Sequence, residues 1–271
     1  MKNKFLTVAI ICKRDDSSIN EPLTKLVNFL EKEGHKVIVD SNNPDDGLNN
    51  SNFLNSKNQI SNDKLIDLII VIGGDGTMLS IARQFSPLDI PLIGVNLGRL
   101  GFMTDITLDK MLLVIGDIID GKFITEKRSL LEGFVERNEK ELFSGIAFNE
   151  IVVSRGGGSE MVELKVEVDN NFMYNQRSDG LIIATPTGST AYSLSVGGPV
   201  MHPELEGIVL APIAPHTLSN RPIVISDRSK ISIELVAGAK CSVSFDMQSE
   251  FNLTSNDKVI IEKSLNFVNF L

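Results

Sequence analysis

The sequence predicts an α/β domain joined to an all-β one: a doubly wound, Rossmann-like domain over residues 1–121, then a β-sandwich-like domain over residues 122–271. Three observations carry this. Short apolar runs alternate with helix-period segments as far as Gly121, the pattern of a parallel sheet covered by helices. Beyond that point helical periodicity stops, and short strands between turn signals take over. The most apolar of the early runs ends in a glycine-rich loop that opens a helix, as phosphate-binding turns do.

Residues 5–12 read as a buried strand. Asn20 is placed to cap a helix with Pro22 in its first turn, and Leu23, Leu26, Val27 and Leu30 share one face of it. Gly34 ends that helix, His35 follows as an exposed residue, and Val37–Val39 makes a short strand. Residues 41–63 are rich in Asn, Ser and Asp, lack periodicity, and read as a surface loop, either a lid or a tolerated insertion. Leu68–Ile72 is the strongest strand, followed by a helix from about Met78 to Phe85, a strand Leu92–Val95, and a helix capped by Thr107 that runs to about Asp120.

In the second half, Val162, Leu164, Val166 and Val168 alternate with Glu163, Lys165 and Glu167. This is a half-exposed strand with turn residues Asp169-Asn-Asn171 behind it. Ile223–Ile225, Ile231–Leu235, Cys241–Phe245 and Lys258–Glu262 are further short strands.

The chain has 271 residues, 42% of them hydrophobic and 23% charged, which is a soluble, globular composition. The formal charge is −9, which argues against nucleic acid and membrane surfaces as partners, both being anionic. Cys12 and Cys241 form neither a disulfide framework nor a zinc site, so a reducing compartment is expected. No run is long enough to span a membrane. Phe5–Ile11 resembles the apolar part of a signal peptide but is closed by Lys13-Arg14 with no small-residue cleavage site, so the expected location is the cytoplasm.

Gly73-Gly-Asp-Gly-Thr77 is the most informative local feature. Gly73, Gly74 and Gly76 let the backbone approach a polyanion, and with Thr77 they offer N–H groups at a helix start whose dipole favours negative charge. Asp75 is out of place among phosphates unless it accepts a proton from an attacking hydroxyl or holds a divalent cation that bridges them. The plain alternative is an Asp that caps the helix or fills a turn.

A second constellation is Arg177-Ser-Asp-Gly180, a strand, then Thr185-Pro-Thr-Gly-Ser-Thr-Ala-Tyr-Ser-Leu-Ser195. Hydroxyls from Thr190, Ser193 and Ser195 can line a pocket there, and Tyr192 can stack on a base. A connector with a buried tyrosine is the plainer reading. Third, Asn149 and Glu150 open an apolar strand, where an amide beside a carboxylate can read a base edge and ribose hydroxyls. His202 and His216 lie in proline-containing loops, and no His/Cys/Glu set has metal-ligand spacing.

Taken in order, Gly73-Gly-Asp-Gly-Thr77, Gly98-Arg-Leu-Gly-Phe102, Asn149-Glu150, Gln176-Arg-Ser-Asp-Gly180, Thr185–Ser193 and Pro215-His-Thr-Leu-Ser-Asn-Arg-Pro222 strongly resemble the NAD kinase family. The resemblance runs from about residue 5 to the end. It implies transfer of the γ-phosphoryl of ATP, or of inorganic polyphosphate in some members, to the 2′-hydroxyl of the adenosine ribose of NAD. By similarity Asp75 is the general base and Gly76 an adjoining nucleotide contact. Phe102, Asn149, Glu150, Asp179, Thr190, Ala191, Tyr192 and Ser195 line the NAD site, with Arg177, Ala214 and Gln248 as further contacts. The resemblance also implies an active site between the two domains, a divalent metal (Mg²⁺) that arrives with ATP, and a homodimer or homotetramer whose neighbouring subunits contribute to the sites. Two alternatives stand beside it. Lipid kinases of the diacylglycerol or sphingosine type share the Gly-Gly-Asp-Gly-Thr element, and a non-catalytic regulator would bind NAD without turning it over.

Overall fold

The computed structural model describes residues 5–12, 17–40, 52–53, 66–98, 101–156, 160–217, 219–238 and 240–271. They form two compact units that divide between Lys127 and Arg128, and Val268–Leu271 returns to the first. No helix among the described residues is long and apolar enough to cross a membrane.

The first unit is a parallel sheet. Its strands are β1 (Thr7–Cys12), β2 (Lys36–Asp40), β3 (Asn52–Phe53), β4 (Leu68–Gly73), β5 (Leu92–Asn96) and β6 (Ile106–Thr107), lying side by side in the order β3-β2-β1-β4-β5-β6. β4 is buried along its whole length, which is why it reads as an unbroken apolar run. Among the described residues three helices cover the sheet: α1 (Asn20–Lys32), α2 (Asp75–Phe85) and α3 (Met111–Ile119). Leu23, Leu26, Val27 and Leu30 of α1 and Met111, Ile115 and Ile118 of α3 share one apolar cluster with Val8, Ile10, Leu68, Ile70 and Ile72 of the strands. The doubly wound expectation holds.

Several local expectations do not. Asn20 is the first residue of α1 rather than its cap. A 3₁₀ turn, Ser17–Ile19, leads in, and the capping position falls on Ile19 with no side-chain bond. Thr107 does not cap α3, whose capping residue is Lys110. Thr107 ends β6, and its carbonyl accepts the Lys110 N–H at 3.1 Å. His35 is buried, because its Nδ1 lies 2.6 Å from the Phe5 carbonyl oxygen. Of the stretch 41–63, only Asn52–Phe53 is among the described residues, and there it is not loop but a short strand beside Ile38 and Val39.

The second unit is two antiparallel sheets. One contains β7 (Glu126–Arg137), β8 (Lys140–Ala147), β10 (Val162–Val168), β11 (Asn171–Ser178), β15 (Ile231–Ala237) and β18 (Lys258–Phe270). The other runs in the order β14-β13-β12-β9-β16-β17, with β9 Glu150–Arg155, β12 Gly180–Ala184, β13 Gly207–Ile213, β14 Ile223–Ser226, β16 Cys241–Phe245 and β17 Ser249–Leu253. Inward residues of both sheets form one core, among them Leu131, Ile151, Val153, Leu164, Leu181, Ile233, Phe245 and Ile261. Gly133 and Gly145 sit opposite each other on β7 and β8, and a Cβ on either would reach the Phe245 ring within 3.0 Å, so the pair makes room for that ring. The far face of the second sheet is closed by Met201 and its neighbours over Val152, Ile182, Ala184, Val209 and Ala211. This is the sandwich that the strand pattern predicts.

Candidate active site

In the first unit the site grows out of the end of β4. The chain leaves the sheet at Gly73, passes through Gly74 in an extended conformation, and enters α2 at Asp75. The Gly74 carbonyl accepts the N–H of Thr77 and of Met78, so those two donors are spent, while no side chain caps the helix. A Cβ at Gly73 would stand 2.9 Å from Thr77 Oγ1, so the turn closes tightly on that hydroxyl. Gly76 is exposed, and Gly74, Asp75 and Thr77 are half-buried.

Asp75 neither caps α2 nor fills a turn. Its carboxylate reaches across to the turn after β5. There Oδ2 accepts the Phe102 N–H at 2.9 Å, and Oδ1 accepts the Met103 N–H at 3.2 Å and the Thr104 hydroxyl at 3.1 Å. The fit is close: a Cβ at Gly101 would stand 2.1 Å from Oδ1, so only glycine lets the turn lie against the carboxylate. Phe102 itself projects into solvent, 73% exposed. Residues 99–100 of the Gly98–Phe102 element lie outside the described residues.

In the second unit the centre is the junction of β9 with the loop that follows β12. Asn149 and Glu150 are buried. Their N–H groups, and that of Phe148, donate to the carboxylate of Asp246 at 2.8–3.0 Å. The Glu150 carboxyl is pushed up to about 7, first by burial and then by the nearby charge of Asp246, while the Tyr192 N–H opposes the rise. Glu150 Oε2 is buried and meets no donor among the described residues. The Thr185 hydroxyl donates to the Phe148 carbonyl at 2.7 Å and accepts the Gly188 N–H at 3.0 Å. A 3₁₀ turn (Thr187–Thr190) and one short helix, α4 (Tyr192–Ser195), then carry Thr190, Ala191 and Tyr192 past the Asn149-Glu150 pair. Ser193 is buried, whereas Tyr192 and Ser195 face solvent, and Gln248 is exposed in the turn after β16.

The remaining predicted contacts lie at the other end of β12. Glu150 pairs with Ala184, but Gly180 pairs with Ser154. Asp179 therefore stands about 20 Å along the strand from the Thr185 loop. It is held by Arg155, with Nε at 2.7 Å from Oδ1, and its N–H donates to the Ile213 carbonyl. Arg177 is exposed, its carbonyl accepting the His216 N–H, and Ala214 beside them adopts a left-handed backbone, φ 43°. Within one copy of this unit the predicted residues thus form two groups, one at each end of the strand.

Two family models match this chain. One, described as the ATP-NAD kinase N-terminal domain, covers residues 8–123, and the other, the ATP-NAD kinase C-terminal domain, covers residues 148–271. The chain belongs to the NAD kinase family. The NAD kinases of Burkholderia vietnamiensis and Paraburkholderia phymatum are each 48% identical to it over 270 residues, which is 99% of this chain and 89% of theirs. Among solved structures, the yeast NADH kinase complexed with NADH superposes with a TM-score of 0.88 at 26% identity, over 99% of this chain and 84% of that one. An NAD kinase from Archaeoglobus fulgidus in complex with ATP gives 0.76 at 27% identity, over 97% and 92%. The lipid-kinase and non-catalytic alternatives find no support among these relatives.

For a member of the NAD kinase family, three residues of the site were not singled out from sequence: Asp246, Thr104 and Gly188. Asp246 is invisible locally, because the three amides it holds are nearly a hundred positions away. Thr104 lies two residues past the Gly98–Phe102 element, and only its contact with Asp75 marks it. Gly188 lies inside the Thr185–Ser195 run and has no side chain to mark it, and only its close approach to Asn149 does so.

Proposed function

We propose that this chain is a phosphotransferase that moves the γ-phosphoryl of ATP to the 2′-hydroxyl of the adenosine ribose of NAD, giving NADP and ADP. The observation that carries this is the Asp75 carboxylate, held by three donors at the start of α2, where among the described residues no side chain caps the N–H groups that follow the glycine loop. Phosphoryl transfer is mainly positioning and charge neutralisation. The loop supplies N–H donors for phosphates, and Mg²⁺ travels with ATP as part of the donor substrate. Asp75 takes the proton of the attacking hydroxyl. A carboxylate already accepting three hydrogen bonds suits that role better than holding a bridging cation, which would need its lone pairs. Asn149, Glu150 and Tyr192 receive the nucleoside, through an amide, a carboxyl of raised pKa and a flat ring.

The likeness to structures holding NADH and ATP supports the choice of substrates. The separation of Asp179, Arg177 and Ala214 from the Asn149 group supports a homodimer or homotetramer in which a second copy brings one group to the other's site. A sequence with just two cysteines, far apart along the chain, supports a reducing, cytoplasmic setting.

Asp75→Asn tests the proposal. Turnover of NAD and MgATP to NADP falls by roughly 10²–10⁴, the scale of general-base loss, while NAD still binds. Near-normal turnover would remove Asp75 from the chemistry.

A further inference from the structure

We propose that Thr104 is a positioning residue for phosphoryl transfer: aimed by Asn96, its hydroxyl closes Oδ1 of Asp75 and leaves Oδ2 as the atom that takes the proton. This rests on the reading of Asp75 as the base.

A carboxylate offers about two acceptor positions on each oxygen. Oδ1 has both filled, by the Met103 N–H and the Thr104 hydroxyl. Oδ2 accepts one bond, from the Phe102 N–H, among the described residues. Among the described residues one position therefore stays open, and it is on Oδ2. The direction of the Thr104 hydroxyl is set from behind. Asn96 Nδ2 donates to Thr104 Oγ1 at 3.0 Å, which occupies a lone pair and turns the single hydroxyl proton toward Asp75. Asn96 is itself anchored at both ends of the turn: its Nδ2 also reaches the Thr104 carbonyl at 3.1 Å, and its Oδ1 accepts the Gly98 N–H at 2.6 Å. Thr104 has no solvent exposure and Asn96 only 5%, so water does not compete for these bonds. Gly94 completes the arrangement, since a Cβ there would stand 2.9 Å from Thr104 Cγ2 and 2.5 Å from the Met103 carbonyl oxygen.

In the step itself, the ribose 2′-O–H bond breaks and its proton passes to Oδ2 of Asp75. The 2′-oxygen bonds to the γ-phosphorus, and the bond from that phosphorus to the β,γ-bridging oxygen breaks, its electron pair leaving with ADP. Asp75 then returns the proton to solvent. Losing the Thr104 donor makes a carboxylate a somewhat stronger base, but a loose transition state gains little from that. Opening Oδ1 lets the carboxylate turn, and small misplacements are expensive in such reactions. Misalignment is the larger effect.

The test uses the full chain with NAD and MgATP and four variants: Thr104→Val, Thr104→Ser, Asp75→Asn, and Asp75→Asn combined with Thr104→Val. Thr104→Val lowers kcat about tenfold and leaves both KM values within about twofold, and Thr104→Ser restores turnover. In the Asp75→Asn background Thr104→Val changes nothing further, because the hydroxyl acts through the carboxylate. Wild-type turnover in Thr104→Val, or losses that multiply in the double variant as a purely structural role would give, overturns the proposal. Thr104→Ala, which removes the hydroxyl without adding a methyl near Asn96, stands in if Thr104→Val does not fold. Normal turnover in Asp75→Asn would instead sink the reading of Asp75 as the base, so the two failures are distinct.

Discussion

Gly188 joins the two segments that carry the proposed nucleoside-binding residues, and Gly188→Ala measures how tightly. A Cβ at this position would stand 2.0 Å from the Asn149 carbonyl oxygen, 2.5 Å from its carbon and 2.8 Å from its Cα. All three are backbone atoms, and they cannot yield easily. The N–H groups of Phe148, Asn149 and Glu150 are tied to Asp246, and the Asn149 carbonyl is tied to the Thr185 N–H at 2.9 Å. The Thr185 loop must therefore retreat by roughly 1 Å, an overpacking cost of about 1–3 kcal/mol. The retreat stretches three hydrogen bonds, Thr185 N–H to Asn149, Thr185 Oγ1 to Phe148, and Gly188 N–H to Thr185 Oγ1, each worth about 0.5–1.5 kcal/mol net. The expected loss is about 3–5 kcal/mol. With an m-value near 3 kcal/mol/M the urea midpoint drops by roughly 1–1.7 M, and KM for NAD rises because Thr190–Ser195 move. Gly116→Ala is the control: it sits inside α3, and its Cβ meets only Phe29 Cζ at an ordinary 3.4 Å, so helix propensity adds up to about 1 kcal/mol. A shift of less than about 0.3 M in Gly188→Ala at unchanged m would refute the close-approach argument.

Two pH-linked outcomes carry opposite signs. The Glu150 carboxyl, raised from 4.5 to about 7, binds its proton more tightly in the fold than in the unfolded chain. Its contribution is complete below pH 4.5 and lost as pH rises through about 7, worth about 3 kcal/mol at most. Glu150→Gln removes this dependence, so urea midpoints of variant and wild type diverge in the variant's favour between pH 5 and pH 8, and parallel curves would count against it. Asp257 is fully buried, and the Arg137 guanidinium bonded to it at 2.7 Å and 2.9 Å holds its carboxyl below 3.8. Its contribution is present above the ordinary carboxyl range and lost as pH falls through the lowered value. Asp257→Asn costs about 1–2 kcal/mol at pH 7, trimmed because Arg137 is 40% exposed, and the gap from wild type closes as pH falls below the ordinary carboxyl range.

Both folds were legible where a segment's own residues decide its environment. β4 is apolar because it is buried on both faces. Asp169 and Asn170 announce their hairpin because both adopt the left-handed backbone that those residue types tolerate, φ 52° and 63°. The hairpin between β7 and β8 turns on Asn138 and Glu139, at φ 52° and 62°, and a glutamate gives no such signal. The misplaced caps failed because Asn20 and Thr107 have capping chemistry but the chain enters each helix through a preceding turn. His35 gives no local sign of burial because the Phe5 carbonyl that draws it inward is 30 positions away. The site divides in the same way. The glycine loop is local and readable, whereas what holds Asp75 and the Asn149-Glu150 pair comes from residues far along the chain. Motif spacing carries the chemistry; the clamps that orient it are non-local and leave no periodic trace.

The return of Val268–Leu271 to the first unit bears on how the protein is made. Phe270 pairs with Leu92, the Leu271 N–H donates to the Leu92 carbonyl, and Asn269 Nδ2 donates to Asp89, 180 positions upstream. During synthesis from the amino end, the first unit must wait with this margin of β5 unpartnered while the entire second unit is translated. Long-range closures of this kind are slow to form. Nascent chains are therefore most exposed to unwanted strand pairing after β5 has left the ribosome and before β18 has followed. A fragment ending near residue 127 would keep the glycine loop but carry that waiting state permanently.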